Sequence, residues 1–273
     1  MKVAIILTTY NRPRALDRVL ASLAEMRAQA SEIVVADDGS GEATAQVVDG
    51  WKAKLPLMHV WHPDEGFRAA EIRNKAVLAS SAEYLVFLDG DCMAPRDFVA
   101  QHQRFAEVGY MVAGNRMLLS EALTQTVEEK HLNPGVWGLR QWLGCKFRGS
   151  VNRLLPLLRL PDGSWRKRRP QRWQGVHTCN LGLWRRDFEA VNGFDQEFQG
   201  WGHEDADLAI RLMRFGIRRK EGACAVPVYH LWHCENDRSR EAVNKARLMD
   251  VVAGKYPIRC DMGITSAVHG PRE

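Results

Sequence analysis

Three groups of side chains in this sequence have the types and spacing to do chemistry. The first is Asp89-Gly90-Asp91, directly after the apolar run Tyr84 to Leu88. Alternate residues of an extended segment point the same way, so both carboxylates can face one cation or one diphosphate–cation unit. Hard oxygen ligands of this kind suit Mg²⁺ or Mn²⁺. The second group runs from Gly193-Phe194-Asp195 to Gly200-Trp201-Gly202-His203-Glu204-Asp205-Ala206-Asp207. Acids that open a helix are favoured by its macrodipole, which alone would account for them. Their spacing separates them further. Asp205 shares a helix face with Leu208, Ala209 and Leu212, so it is expected at the exposed end of a buried stripe, looking into a pocket. Asp207 and Arg211 stand four apart and are expected to pair on the surface. The third group is His230 and His233, after a strand-like run, where imidazole would complete an acidic metal site. His177, Cys179, His230, His233 and Cys234 also offer zinc-ligand types, although their spacing fits no standard knuckle.

The elements that must position these groups are legible as a pattern. Val3 to Leu7, Glu32 to Ala36, Leu57 to Trp61 and Tyr84 to Leu88 read as buried strands. Helices are predicted between them: one opens at Pro13 and carries Leu16, Val19, Leu20 and Leu23 on one face, one covers 42–51, and one covers 68–80. Strand–helix alternation implies right-handed βαβ units in a largely parallel sheet. Polar residues just beyond the C-terminal strand ends of such a sheet line the ligand crevice. That rule selects Thr8-Thr9-Tyr10-Asn11, Asp37-Asp38-Gly39-Ser40 and Asp89-Gly90-Asp91, three turn-like clusters on one edge. Further helices are predicted over 203–215 and 239–254. Residues 119–175 mix Pro, Gly, Trp and Arg and read as an irregular insertion.

Composition bounds the class. The chain has 273 residues, 45% apolar and 26% charged, which suits one globular α/β domain with insertions and excludes general disorder. No apolar run approaches the roughly 18 residues that span a bilayer. Lys2 precedes only five apolar residues, so no secretory signal is expected, and the six cysteines, with no CxxC pair, read as reduced thiols in a cytoplasmic protein. The net charge of +5 is uneven: residues 140–172 hold ten Lys/Arg against Asp162 alone. Leu154 to Leu160 and Trp142, Trp165 and Trp173 lie among or beside these cations, a mixture suited to an anionic membrane surface or an anionic, lipid-linked acceptor, or else a solvated loop with a small satellite core. No nucleic-acid recognition motif accompanies the charge.

Read together, these residues resemble the inverting family 2 glycosyltransferases of the GT-A fold. The resemblance rests on Ile6-Leu-Thr-Thr-Tyr-Asn11, Val34-Val-Ala-Asp-Asp-Gly-Ser40, Gly66-Phe67 with Arg73-Asn74, and Leu88-Asp-Gly-Asp91. The run from Gly193 to Leu208 is similar to the C-terminal segment of β-1,4-galactosyltransferases and bacterial chondroitin-type polymerases, and its GWGxEDxDL pattern is the most specific of the set. The similarity covers most of residues 1–118 and 176–235, with nothing matched over 119–175. It departs at His203, where many relatives have Gly.

The resemblance implies roles. Thr8, Tyr10, Asp37 or Asp38, and Arg73 would hold uracil and ribose; Asp89 would contact ribose or metal. Asp91 would bind Mn²⁺ or Mg²⁺, with His230 and His233 completing the shell. Asp205 would be the catalytic base, Glu204 would hold the acceptor and Trp201 would stack on a sugar. The expected protein is a metal-dependent inverting enzyme moving a hexose or N-acetylhexosamine from a UDP-sugar to a glycan or glycolipid hydroxyl, in cell-surface polysaccharide or lipopolysaccharide synthesis. It would be cytoplasmic, with a peripheral membrane contact through 140–172 and no nucleic-acid partner. Its expected layout is a nucleotide-sugar half over 1–118, the basic insertion over 119–175, an acceptor and catalytic half over 176–255 and a loose tail over 256–273. A non-catalytic sugar-nucleotide or glycan-binding protein and a sugar-1-phosphate nucleotidyltransferase are the competing classes. The intact Asp91, Glu204 and Asp205 speak against the first. Thr-Thr-Tyr-Asn-Arg, where the second would carry a Gly-rich loop, speaks against the other.

Overall fold

A computed structural model describes residues 1–234 and 237–266. Strands β1 (Val3–Thr9), β2 (Glu32–Asp37), β3 (Leu57–Trp61) and β4 (Tyr84–Asp89) alternate with helices α1 (Pro13–Ala24), α2 (Glu42–Trp51) and α3 (Ala69–Ala79). β5 (Cys92–Met93), α4 (Phe98–Phe105), β6 (Tyr110–Ala113), β7 (Asn115–Leu118), α5 (Glu121–Glu129) and α6 (Leu139–Phe147) follow. The chain then forms β8 (Asn180–Trp184), α7 (Arg185–Ala190), α8 (Glu204–Arg214), β9 (Arg218–Glu221), β10 (Pro227–His230) and α9 (Glu241–Val252).

Seven strands form the central sheet in the order β3-β2-β1-β4-β8-β6-β9. β3, β2, β1 and β4 run parallel, β8 lies antiparallel to both β4 and β6, and β6 and β9 are parallel. The sheet is thus α/β and mostly parallel, as the alternation predicts. Its core has two sides. Val3, Ile5 and Leu7 pack with α1, while Ala4 and Ile6 pack with Ile72 and Ala76 of α3 and with Phe188 and Leu208. Such two-sided burial explains why β1 reads as an unbroken apolar run. Each fully buried Val, Leu, Ile or Phe contributes about 1.5–3 kcal/mol.

Register brings the three polar clusters together. Thr8 pairs with Asp89 of β4, and Thr9 with Asp37 of β2, so their strand ends share one edge. A second sheet, β5-β10-β7, sits beyond that edge and sets His230 opposite Cys92.

Three expectations are corrected. Residues 119–175 are not irregular throughout: they hold α5, opened by Ser120 Oγ accepting from the Leu123 amide, and α6. Short segments and Gly-Pro-Trp content hide this periodicity. Nor is the described part of the C-terminal segment loose. Ile264 N donates to Asn192 O, Asn192 Nδ2 donates to Cys260 O, and Cys260 and Ile264 are buried. A Cβ at Gly263 would overlap Asn192, so the glycine permits this close docking. Residues 267–273 of the expected tail lie outside the described residues. Finally, Asp207 and Arg211 do pair, yet both side chains are 1% exposed. Arg211 also donates to Val191 O and Gly193 O, because the flank of α8 that carries this pair is covered by the turn after α7.

The cationic insertion is partly consumed by structure. Arg166, 1% exposed, donates to the carbonyls of Leu160, Pro161, Glu221 and Ala223 and stacks on Phe105 and Trp165. Lys167 contacts Glu107.

Candidate active site

The Asp89-Gly90-Asp91 turn is fixed by its glycine. Gly90 N donates to Thr8 O at 2.7 Å, and a Cβ there would lie 3.0 Å from Thr8 O and the Thr9 side chain. Asp91 faces three side chains from other segments. Arg12 Nη1 donates to its Oδ2 at 2.8 Å, His233 Nε2 lies 3.4 Å from the same oxygen, and His230 Nε2 lies 3.6 Å from Oδ1. The end of β10 and the three residues after it deliver the histidines, anchored by Leu231 N donating to Asp91 O. Their rings stand 5.3 Å apart. Burial lowers the His230 pKa, which favours the neutral, lone-pair-bearing imidazole. One carboxylate with two imidazoles, held at spacings too long for strong mutual hydrogen bonds, is a donor set that fits a divalent cation. Asp91, Cys92 and His230 also offer ligand atoms within 4.8 Å of one another.

Arg73 of α3 ties this edge to α8. Its Nε donates to Thr8 Oγ1 at 3.0 Å, Nη1 to Glu204 Oε1 at 3.0 Å, and Nη2 lies 3.4 Å from Asp89 Oδ1. Arg73 and Glu204 are buried. Burial raises the Glu204 pKa, the Asp205 charge raises it further, and Arg73 opposes both. Burial pushes Asp89 up to about 6, against the pull of Arg73, with Asp91 adding to the rise.

Asp205 is placed differently from its neighbours. Its Oδ2 lies 3.0 Å from His177 Nδ1, its Oδ1 accepts from the Ala206 amide, and it remains partly exposed. Glu204 is held by Arg73 and Asp207 by Arg211, so among the described residues Asp205 is the carboxylate of this helix start that forms no ion pair with an Arg. The turn before it is tightly wound: Gly200, Gly202 and His203 have φ of +76°, +104° and +78°. A Cβ at Gly200 would lie 2.6 Å from Arg240 Cβ. His203 thus adopts a left-handed conformation that costs an L-residue about 1–2 kcal/mol and that Gly would adopt without that cost. Trp201 lies under the Arg238 guanidinium, 4.6 Å from the ring centre.

The other expected sugar-nucleotide residues line the same strand ends with different accessibility. Tyr10 is exposed, its hydroxyl donating to Asp64 at 2.8 Å. Asp37 is buried, accepting from Ser40 N and lying 2.9 Å from His59 Nε2. Asp38 is buried too, with His62 Nε2 at 2.7 Å and the Arg68 amide as partners. The five possible zinc ligands are divided rather than assembled. His177 joins Asp205, His230 and His233 join Asp91, Cys179 lies with Cys92 and Asp89, and Cys234 is exposed. Sequence reasoning gave no role to Arg12 or Cys92, and it named His177 only as a possible zinc ligand, not as a partner of Asp205. Arg12 directly follows Thr8-Thr9-Tyr10-Asn11 and was open to notice; His177 meets Asp205 only through the fold.

A family model described as glycosyl transferase family 2 matches residues 4–166, and one described as the N-terminal domain of galactosyltransferase matches 164–233. The chain belongs to glycosyl transferase family 2. The first match extends through most of the 119–175 segment that the sequence reading left unmatched. Validoxylamine A glucosyltransferase of Streptomyces hygroscopicus subsp. jinggangensis is 28% identical over 79% of this chain, which spans about half (52%) of that relative's length. Among solved structures, S. aureus TarS 1-349 in complex with UDP-GlcNAc superposes with a TM-score of 0.62 at 15% identity, covering 98% of this chain and 69% of that one. The mannosyltransferase PcManGT of Pyrobaculum calidifontis, in complex with GDP-Man and Mn²⁺, gives 0.58 at 18% identity, covering 93% and 63%. Family membership makes the protein a glycosyltransferase, and these neighbours share its GT-A fold.

Proposed function

We propose that this glycosyltransferase moves a hexose or N-acetylhexosamine from a UDP-sugar to a hydroxyl of a glycan or glycolipid acceptor, with inversion and with Mn²⁺ or Mg²⁺. The observation that carries the reading is the division between the two carboxylate clusters. Asp91 meets Arg12, two imidazoles and the neighbouring Cys92 thiol, whereas Asp205 stands partly open beside His177. Asp205 would accept the acceptor hydroxyl proton as that oxygen bonds to the anomeric carbon and the bond from that carbon to UDP breaks. Glu204, held by Arg73, would orient the acceptor, and Trp201 would cover a sugar face. Thr8, Tyr10, Arg73, Asp89 and one of Asp37 and Asp38 would bind uracil and ribose. Asp91, His230 and His233 would hold the cation, which as a Lewis acid stabilises charge on the departing diphosphate.

The UDP-GlcNAc bound by TarS supports a UDP-sugar donor, and the Mn²⁺ of the Pyrobaculum enzyme supports a divalent cation. The acceptor is proposed as a precursor of cell-surface polysaccharide or lipopolysaccharide, reached in the cytoplasm by a peripheral contact of residues 140–172 with an anionic membrane. Among the described residues no helix is long and apolar enough to cross a membrane. Release of UDP from UDP-glucose, UDP-galactose and their N-acetyl forms, with Mn²⁺, Mg²⁺ or chelator, tests the reading. Cation-dependent release from one donor supports it. UDP-sugar binding without release at any acceptor would favour a binding protein instead.

A further inference from the structure

We infer that the outer face of α6 is the surface by which this protein docks on an anionic lipid bilayer. The inference rests on the membrane contact proposed above and assigns it to one element. Helix α6 has two unlike sides. Its inner side carries Trp142 and Cys145, both buried, and the Trp142 ring packs on Tyr229 at 4.9 Å and on Trp137 at 5.1 Å. Tyr229 directly precedes His230 on β10, so α6 is braced on the strand that faces Asp91.

The outer side carries Leu139, Leu143 and Phe147, which are 68%, 40% and 89% exposed. One exposed Leu needs no explanation. Three large apolar residues at i, i+4 and i+8 form a stripe. At about 100° per residue they fall within an arc of about 80°. Lys146 and Arg140 fall just outside the two edges of that arc. The surrounding sequence keeps one sign of charge: residues 134–161 contain Arg140, Lys146, Arg148, Arg153 and Arg159 and no Asp or Glu. Arg159 is neutralised by Asp97, and Arg153 donates to the Arg116 carbonyl. Lys146 Nζ donates to Asn152 O, a neutral partner, and forms no ion pair among the described residues.

An apolar ridge edged by cations matches an interfacial layer in which acyl chains lie beneath anionic headgroups. The ridge is convex and lies on a helix rather than in a groove, so a fluid surface covers it without a preformed complement. Arg166 and Lys167, by contrast, are spent on carbonyls and Glu107, which moves the docking surface from the middle of the basic insertion to α6.

The test is co-sedimentation of the full chain with vesicles of phosphatidylcholine alone or of equal parts phosphatidylcholine and phosphatidylglycerol, at low and high salt. The wild type should sediment with the anionic vesicles at low salt and be largely released by high salt or by omission of phosphatidylglycerol. The double variant Leu139→Ser, Phe147→Ser should bind at least about tenfold more weakly, with unchanged far-ultraviolet circular dichroism and unchanged UDP release in solution. Arg140→Gln with Lys146→Gln should lose the salt-sensitive part of binding. No wild-type binding at low salt, or wild-type-like binding by the Leu139/Phe147 variant, would overturn the proposal. So would an ultracentrifugal dimer that this variant abolishes, since the face would then cover a second copy. Because UDP release is read without vesicles, its absence would count against the proposed transfer reaction and not against the surface.

Discussion

Just past the end of β4, Asp91 is approached by Arg12 from one segment and by His230 and His233 from another, with the imidazoles 3.4–3.6 Å away. At the start of α8, Glu204 is buried against Arg73, which is itself bonded to Thr8 and near Asp89, while Asp205 touches His177. The first cluster gathers lone pairs that the protein leaves under-used. The second is knit into the core by a guanidinium, with one carboxylate left partly open. Equal acidity in the sequence thus hides unequal tasks. Where the fold buries acid and counter-charge together, as at Asp207–Arg211, the acid is structural; where the partners are imidazoles or a partly exposed guanidinium such as Arg12 beside Asp91, the acid stays accessible to ligand or proton.

Breaking the second cluster at its open member should have the largest effect. Asp205→Asn keeps size and removes the basic lone pair. It should lower turnover by roughly 10²–10⁴-fold with donor affinity nearly unchanged. Steady-state kinetics would show it, and retained turnover would move the base elsewhere.

Breaking its buried member tests the structural half. Arg73→Met should destabilise the fold by about 3–5 kcal/mol, because Glu204 and Asp89 lose their shared cation. Urea unfolding followed by circular dichroism measures this; a loss below about 1 kcal/mol would mean that the guanidinium is not holding the edge together.

A smaller effect separates the clusters by pH. Asp89 has its pKa raised to about 6, above the ordinary 3.8, so below about pH 6 the folded state takes up a proton there. Because the folded pKa is the higher one, this group costs stability above pH 6 and returns it as pH falls through 6 towards 4. The difference in urea midpoint between wild type and Asp89→Asn should therefore narrow over that window. A difference independent of pH would show that burial does not perturb this carboxyl.

The smallest effect is expected at His177. His177→Gln keeps a hydrogen-bond donor but removes the ring. It should lower kcat by about three- to tenfold without changing donor KM, if His177 positions Asp205. An equal change in donor KM would assign His177 to the donor side.

The sheet edge was open to sequence reading because β1, β2 and β4 are buried on both faces and each ends in a polar turn. Such runs announce both strand and crevice. Asp91 and Asp205 could be singled out for the same reason: a strand end and a helix start are local features. Burial of the Asp207–Arg211 pair was not legible, since i,i+4 spacing predicts a partner and says nothing of what covers it. His177 and Asp205 are 28 residues apart, and only the packing of α8 beside the β8 approach joins them. The α5 and α6 helices escaped because nine residues each give too few turns to show a period against Gly, Trp and Arg neighbours.

The division of labour between the clusters is tested most directly by calorimetric titration of UDP, with and without Mn²⁺, into the wild type, Asp91→Ala and Asp205→Asn. The wild type and Asp205→Asn should both bind UDP more tightly with Mn²⁺, and Asp91→Ala should lose that enhancement while keeping its melting temperature. Unchanged Mn²⁺-dependent affinity in Asp91→Ala, or its loss in Asp205→Asn, would contradict the assignment of cation and donor to one cluster and proton transfer to the other.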